Sequence, residues 1–133
     1  MSNQGFGPQG GQRVVVIEDE GMVAMLVEDM LTELGHSVGA VASRMRDAID
    51  IAQNGMFDWA ILDVNLEGQP SYPVADILKE RGVPFAFATG YGAKCLDTKY
   101  GDVPVLAKPF VMADLKKLLF LPDSHRLTSH MAS

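Results

Sequence analysis

A doubly wound α/β fold built on a five-stranded parallel sheet is predicted by three features of this chain. Short β-branched runs alternate with stretches of helical periodicity. The first run, RVVVIE at residues 13–18, holds four consecutive apolar residues, as a strand covered on both faces requires. Reactive polar side chains stand at the ends of several runs, and open α/β sheets hold their ligands beyond the carboxyl ends of their strands.

After the first strand, Val23, Leu26, Val27, Met30, Leu31 and Leu34 form an apolar stripe over residues 22–34, with Glu28, Asp29 and Glu33 off it, and Gly35 stops this helix. SVGAVAS (37–43) is the second strand. Ala48, Ile51 and Ala52 mark the next helix, which ends near Gly55. WAILD (59–63) is the third strand. Val74, Ile77 and Leu78 place a helix that ends at Gly82, and VPFAFAT (83–89) follows as the fourth strand. Residues 90–102 are weakly periodic with three glycines, so a helix there is expected to be short. VPVLAK (103–108) is the fifth strand, and Val111, Met112, Leu115, Leu118 and Leu119 outline the last helix. Right-handed crossovers then give a flavodoxin-like (βα)5 sheet in the order 2-1-3-4-5.

The 133 residues suit one domain, expected over 12–121, between a Gly- and Gln-rich arm (1–11) and a tail without periodicity (122–133). With 11 Lys+Arg against 17 Asp+Glu and a net charge of -6, the chain offers little basic surface for nucleic acid. No run is long and apolar enough to span a bilayer and no signal peptide is evident, so a cytoplasmic protein is expected. Cys95 is the only cysteine, which excludes an intramolecular disulfide. His125 and His130 belong to the tail and read as solvated rather than as metal ligands.

The predicted sheet brings the strand ends together: Glu18, Asp19 and Glu20 after the first strand, Asp63 closing the third, Thr89 the fourth and Lys108 the fifth. A nucleotide-binding domain would place a Gly- or Ser/Thr-rich phosphate loop after the first strand, whereas this turn is acidic. Converged carboxylates repel an anion unless a cation lies between them, and hard oxygen donors suit Mg²⁺. Asp63 then reads as a nucleophile toward phosphorus, with Lys108 supplying positive charge and the Thr89 hydroxyl a hydrogen bond. Each residue alone is a weak signal; their order along four strand ends is the strong one.

The segments VVVIEDE, AILDVNL, FATGYG and VLAKPF, in that order, resemble a response-regulator receiver domain (CheY-like) over about residues 12–121. The resemblance implies that Asp63 is the phosphoacceptor and that Mg²⁺ is bound by Asp19, Asp63 and the main-chain carbonyl of Asn65, with Glu18 acting through water. It assigns Thr89 and Lys108 to the switch hydroxyl and the phosphate-pairing lysine, and implies a cis bond before Pro109. PFAFATGYG is similar to the FAT GUY group of single-domain regulators and to receivers of HWE-type hybrid histidine kinases. The implied partners are a histidine kinase or histidine phosphotransferase and a downstream protein, in a monomer or weak homodimer without nucleic acid or membrane.

Two positions depart from the common receiver pattern. Val105 stands where an aromatic residue usually precedes the lysine by three, which leaves Tyr91 as the nearest candidate gate or partner contact. Glu67 stands four after Asp63, where many receivers have Pro, so an unusual loop path is expected. Trp59 is expected in the core. Two other functions are open to these residues: an unphosphorylated pseudo-receiver, and a phosphatase similar to the haloacid dehalogenases. The latter needs a second Asp where Asn65 stands, and Asn65 cannot transfer a proton.

Overall fold

The alternating pattern resolves, in a computed structural model, into β1 (Arg13–Ile17), α1 (Gly21–Glu33), β2 (Ser37–Ala42), α2 (Met45–Asn54), β3 (Trp59–Asp63), β4 (Asn65–Leu66), β5 (Gln69–Pro70), α3 (Tyr72–Arg81), β6 (Phe85–Thr89), a 3-10 turn (Thr98–Tyr100), β7 (Val105–Ala107) and α4 (Met112–Phe120). The structure describes residues 11–90 and 98–120. Five strands form one parallel sheet ordered β2-β1-β3-β6-β7. This is the expected flavodoxin-like order, with β6 and β7 as the fourth and fifth strands. β4 and β5 form a separate antiparallel hairpin.

Successive strand residues face opposite sides of a sheet, and here both sides are apolar. Val15, Ile17, Ala60, Leu62, Phe85 and Phe87 face one core, closed by Ala48 and Ala52 of α2 and by Val74, Ala75 and Leu78 of α3. Val14, Val16, Trp59, Ile61, Ala86 and Ala88 face the other, closed by Ala24, Val27 and Leu31 of α1 and by Leu115 and Leu119 of α4. Trp59 is a core residue, as expected. Burying each large side chain such as Leu62 or Phe87 contributes about 1.5–3 kcal/mol.

The expected stripe on α1 is partly wrong. Leu26 is 46% exposed, and the fully buried row is Ala24, Val27 and Leu31, with Val23, Met30 and Leu34 only partly covered. The small Ala24 side chain sets the contact row of the helix on the sheet and turns Leu26, Met22 and Met25 outward. At the other end of the chain, Val111 is exposed and precedes α4 rather than joining its buried face, which carries Leu115 and Leu119.

The helices are tied down where side-chain caps are missing. Arg81 at the end of α3 donates to the carbonyls of Ala52 (2.6 Å) and Gly55 (3.1 Å), which closes the C-terminus of α2, while its guanidinium lies over the Phe57 ring. Gly82 ends α3 at φ 74, a left-handed conformation that lacks a steric cost for glycine, and Val83 N–H returns to the Leu78 carbonyl. Gln12 joins three elements: its N–H donates to His36 Nδ1 (3.0 Å), its carbonyl accepts from Ser37 N–H, and its side chain donates to the Leu119 carbonyl.

Burial holds the His36 imidazole below its ordinary value, so the folded state favours the neutral ring. The unfolded chain therefore binds the proton first as pH falls, and stability present above about pH 6.5 is lost as the solution is acidified below it. Urea midpoints at about pH 7.5 and about pH 5.5 are expected to fall further for wild type than for His36→Asn, whose side chain keeps an acceptor but cannot take up a proton in this range. Equal falls would remove His36 as the source.

Candidate functional site

Parallel pairing carries four strand ends to one edge of the sheet. The ladder continues one step past β1, where Glu18 N–H donates to the Ala42 carbonyl (2.9 Å), and past β7, where Lys108 N–H donates to the Thr89 carbonyl (3.0 Å). Asp63 and Thr89 are the last residues of β3 and β6 and both are buried. The main chain after Asp63 is clamped as well. Val64 N–H donates to the Ala88 carbonyl, Ser71 N–H to the Val64 carbonyl, and the Ser71 hydroxyl lies in hydrogen-bonding reach of the Asp63 and Val64 carbonyls. Leu66, fully buried, anchors the hairpin that follows. Asp63 is thus held at the rim by backbone bonds on both sides.

Glu18, Asp19 and Asp63 each offer an oxygen within 4.8 Å of the others. Lys108 Nζ reaches two of them, Glu18 Oε1 at 2.8 Å and Asp63 Oδ2 at 3.1 Å. The rest of the cluster is served by main-chain donors: Glu20 N–H to Glu18 Oε2 (3.1 Å), Asn65 N–H to Asp63 Oδ1 (3.4 Å) and Glu67 N–H to Asp19 Oδ2 (2.9 Å). Burial pushes the Glu18 carboxyl up; its bonds to Lys108 and to Glu20 N–H pull it back and the charge of Asp63 adds to the rise, for a net upward shift. Burial would lower the Lys108 ammonium, but its bonds to Glu18 and Asp63 outweigh that and hold it above its ordinary value. Lys108 therefore stays charged at neutral pH.

The structure brings together Glu18, Asp19, Asp63 and Lys108, and places Thr89 and Asn65 beside them through the β6–β7 ladder and the Asn65–Asp63 bond. The Lys108–Pro109 bond is cis. Val105 is half-buried on β7, paired with Phe87 in the sheet. Tyr91, Cys95, His125 and His130 lie outside the described residues. The unusual path expected around Glu67 takes the form of the β4–β5 hairpin, with Glu67 at φ 53 and Gly68 at φ 78. Sequence reading missed Ser71, whose polar side chain between QP and YP carries no pattern, and Tyr100, which is fully buried against Tyr72 and Phe87.

Replacing Lys108 by Met removes the cation shared by two carboxylates, one of them, Glu18, almost wholly buried. The expected loss of stability is about 3 kcal/mol by urea unfolding without divalent ions, and Glu18→Gln in the same chain should restore a large part of it. A Lys108→Met protein as stable as wild type would mean that the ammonium does not offset this repulsion.

Comparison with known proteins agrees with this edge. The model of the response regulator receiver domain family matches residues 14–120. The phyllosphere-induced regulator PhyR of Methylorubrum extorquens is 35% identical over 124 residues, which cover 85% of this chain and 45% of that protein. The chain thus spans less than half the length of this curated relative. Among solved structures, SdrG of Sphingomonas melonis Fr1 is 40% identical with a TM-score of 0.71, over 79% of this chain and 90% of that one. The anti-anti-sigma factor PhyR of Bartonella quintana is 27% identical with a TM-score of 0.70, over 90% of this chain and 51% of that one. With its sheet order, its acidic strand-end cluster and these relatives, the chain belongs to the response regulator receiver domains of two-component signalling.

Proposed function

We propose that this receiver is a Mg²⁺-dependent phosphoacceptor whose Asp63 takes a phosphoryl group from a histidine kinase, with the HWE type among the candidate donors, or from a histidine phosphotransferase. The observation that carries the reading is the sharing of one ammonium, Lys108, between Glu18 and Asp63 beside the Asp19 carboxylate. Three carboxylates with a lysine among them form a hard-oxygen donor set of the kind Mg²⁺ selects. Asp19, Asp63 and the Asn65 carbonyl would hold the ion directly and Glu18 through water. When bound, the ion supplies positive charge between the carboxylates and the phosphoryl oxygens.

In the transfer, an Asp63 carboxylate oxygen forms the new bond to phosphorus. The bond from phosphorus to the donor nitrogen breaks, and its electron pair leaves with the imidazole. Lys108 holds the carboxylate in place beforehand and pairs with the phosphoryl oxygens afterwards. The Thr89 hydroxyl, at the end of the adjacent β6, donates a hydrogen bond to the same group. The phosphorylated form would then be read by a downstream protein, because phosphorylation changes output only where a partner binds the two forms unequally. The anti-anti-sigma description of the Bartonella quintana relative supports a protein rather than a nucleic acid as that partner. Tyr91 is proposed as a gate or partner contact, a role that Val105 cannot take for want of an aromatic ring.

Intact-protein mass after incubation with Mg²⁺ and acetyl phosphate or phosphoramidate is expected to rise by one phosphoryl group in wild type, and not in Asp63→Asn or in EDTA. An equal gain in Asp63→Asn would move the acceptor elsewhere. A folded, Mg²⁺-binding wild type that gains nothing from these donors or from a cognate kinase would leave a pseudo-receiver.

A further inference from the structure

Glu67 stands at an energetically unfavourable corner. It is the one non-glycine residue with positive φ among the described residues, at 53, and with Gly68 at 78 it forms the two-residue turn between β4 and β5. Two-residue turns with positive φ at both corners favour Asn or Gly in the first position, and a side chain as long as glutamate has nothing to gain there from the turn itself. The turn alone therefore does not explain the residue.

Two long-range hydrogen bonds do. The Glu67 carboxylate, through Oε1, accepts from Met45 N–H at 2.9 Å, in the first turn of α2. Its N-cap residue, Arg44, makes no side-chain cap, so the first N–H groups of the helix lack intrahelical partners and its N-terminus favours a negative charge. The Glu67 main-chain N–H donates to Asp19 Oδ2, also at 2.9 Å. The side chain thus clamps the corner onto α2 in the orientation that aims its peptide N–H at Asp19. At the other end, the hairpin is fixed by the buried Leu66 and by Ser71.

We propose that Glu67 is a positioning residue for the cation site: it never touches the ion, but its grip on α2 holds the donor that orients the Asp19 carboxylate. This role rests on the Mg²⁺-dependent reading above. Every substitution at 67 other than proline retains the N–H; only its aim depends on the side chain. Glu67→Asn suits the left-handed corner but cannot reach Met45, whereas Glu67→Gln keeps an acceptor of the same length without the charge.

Calorimetric titration with MgCl₂ and thermal melting in EDTA, on wild type and both variants, test the role. The expected result is a Kd about tenfold weaker for Glu67→Asn, with a melting temperature no lower than that of wild type, and a Kd within about twofold of wild type for Glu67→Gln. Wild-type affinity in Glu67→Asn would overturn the positioning role. So would an equal loss in Glu67→Gln, which would assign the effect to charge alone. Mg²⁺ binding by wild type with unchanged variants would reject this role and leave the phosphoacceptor reading standing, while no Mg²⁺ binding by wild type would reject both.

Discussion

Carboxylates gathered at one point repel one another, and the edge of this sheet gathers three within 4.8 Å. The arrangement stands because each has its own donors: Glu18 shares Lys108 and takes Glu20 N–H, Asp63 shares Lys108 and takes Asn65 N–H, and Asp19 takes Glu67 N–H. These four donors come from three separate places in the chain, the turn after β1, the β4–β5 hairpin and the end of β7, so the cluster exists only when the strands are in register. The β1–β3 and β3–β6 pairings, and the Lys108–Thr89 bond beyond β7, set the heights at which those side chains leave the sheet. A shift of one residue in any of them would also turn the apolar faces of the strand over. Core packing and site geometry are thus one constraint.

That coupling explains which parts were legible in the sequence. Runs such as VVVI and WAIL show strands because both faces must be covered, and the residue at which each run stops shows where chemistry emerges. Lys108, Asp63 and Thr89 could be named for that reason. The phase of α1 could not be read with the same precision: six apolar residues fit the stripe, and the choice of Ala24 over Leu26 for the buried row follows from how closely the helix approaches the sheet. Periodicity is a property of the helix, and its rotation is a property of the pair.

The hairpin and Tyr100 were hidden for a different reason. Glu67-Gly68 has no turn signature because glutamate is not a left-handed residue; its conformation comes from bonds to Asp19 and Met45, which lie 48 and 22 positions away. Tyr100 sits in a weakly periodic stretch, yet it is fully buried, stacked on Tyr72 with ring centres 4.5 Å apart and set edge-on to Phe87. Its hydroxyl donates to Asp76, and Lys79 and Lys99 lie over its ring. This ring fixes the approach to β7 against α3, so aromatic bulk is present beside the sheet although β7 itself carries only Val105 at the usual aromatic position.

On the proposed reading, that substitution changes how a phosphoryl group at Asp63 could be felt elsewhere. No aromatic ring on β7 is available to turn inward, but the Lys108 ammonium is already divided between two carboxylates, nearer to Glu18 than to Asp63. Phosphorylation replaces the single negative charge of the Asp63 carboxylate with the roughly one and a half to two negative charges of an acyl phosphate. Lys108 would be drawn toward it, and Glu18, which is buried and therefore disfavoured as an anion, would lose its closest cation. The main chain of Lys108 is bonded to the Thr89 carbonyl, so this change in partnership would act on the ends of β7 and β6 together. The acidic pair and the lysine would thereby carry the conformational response that an aromatic switch carries in other receivers.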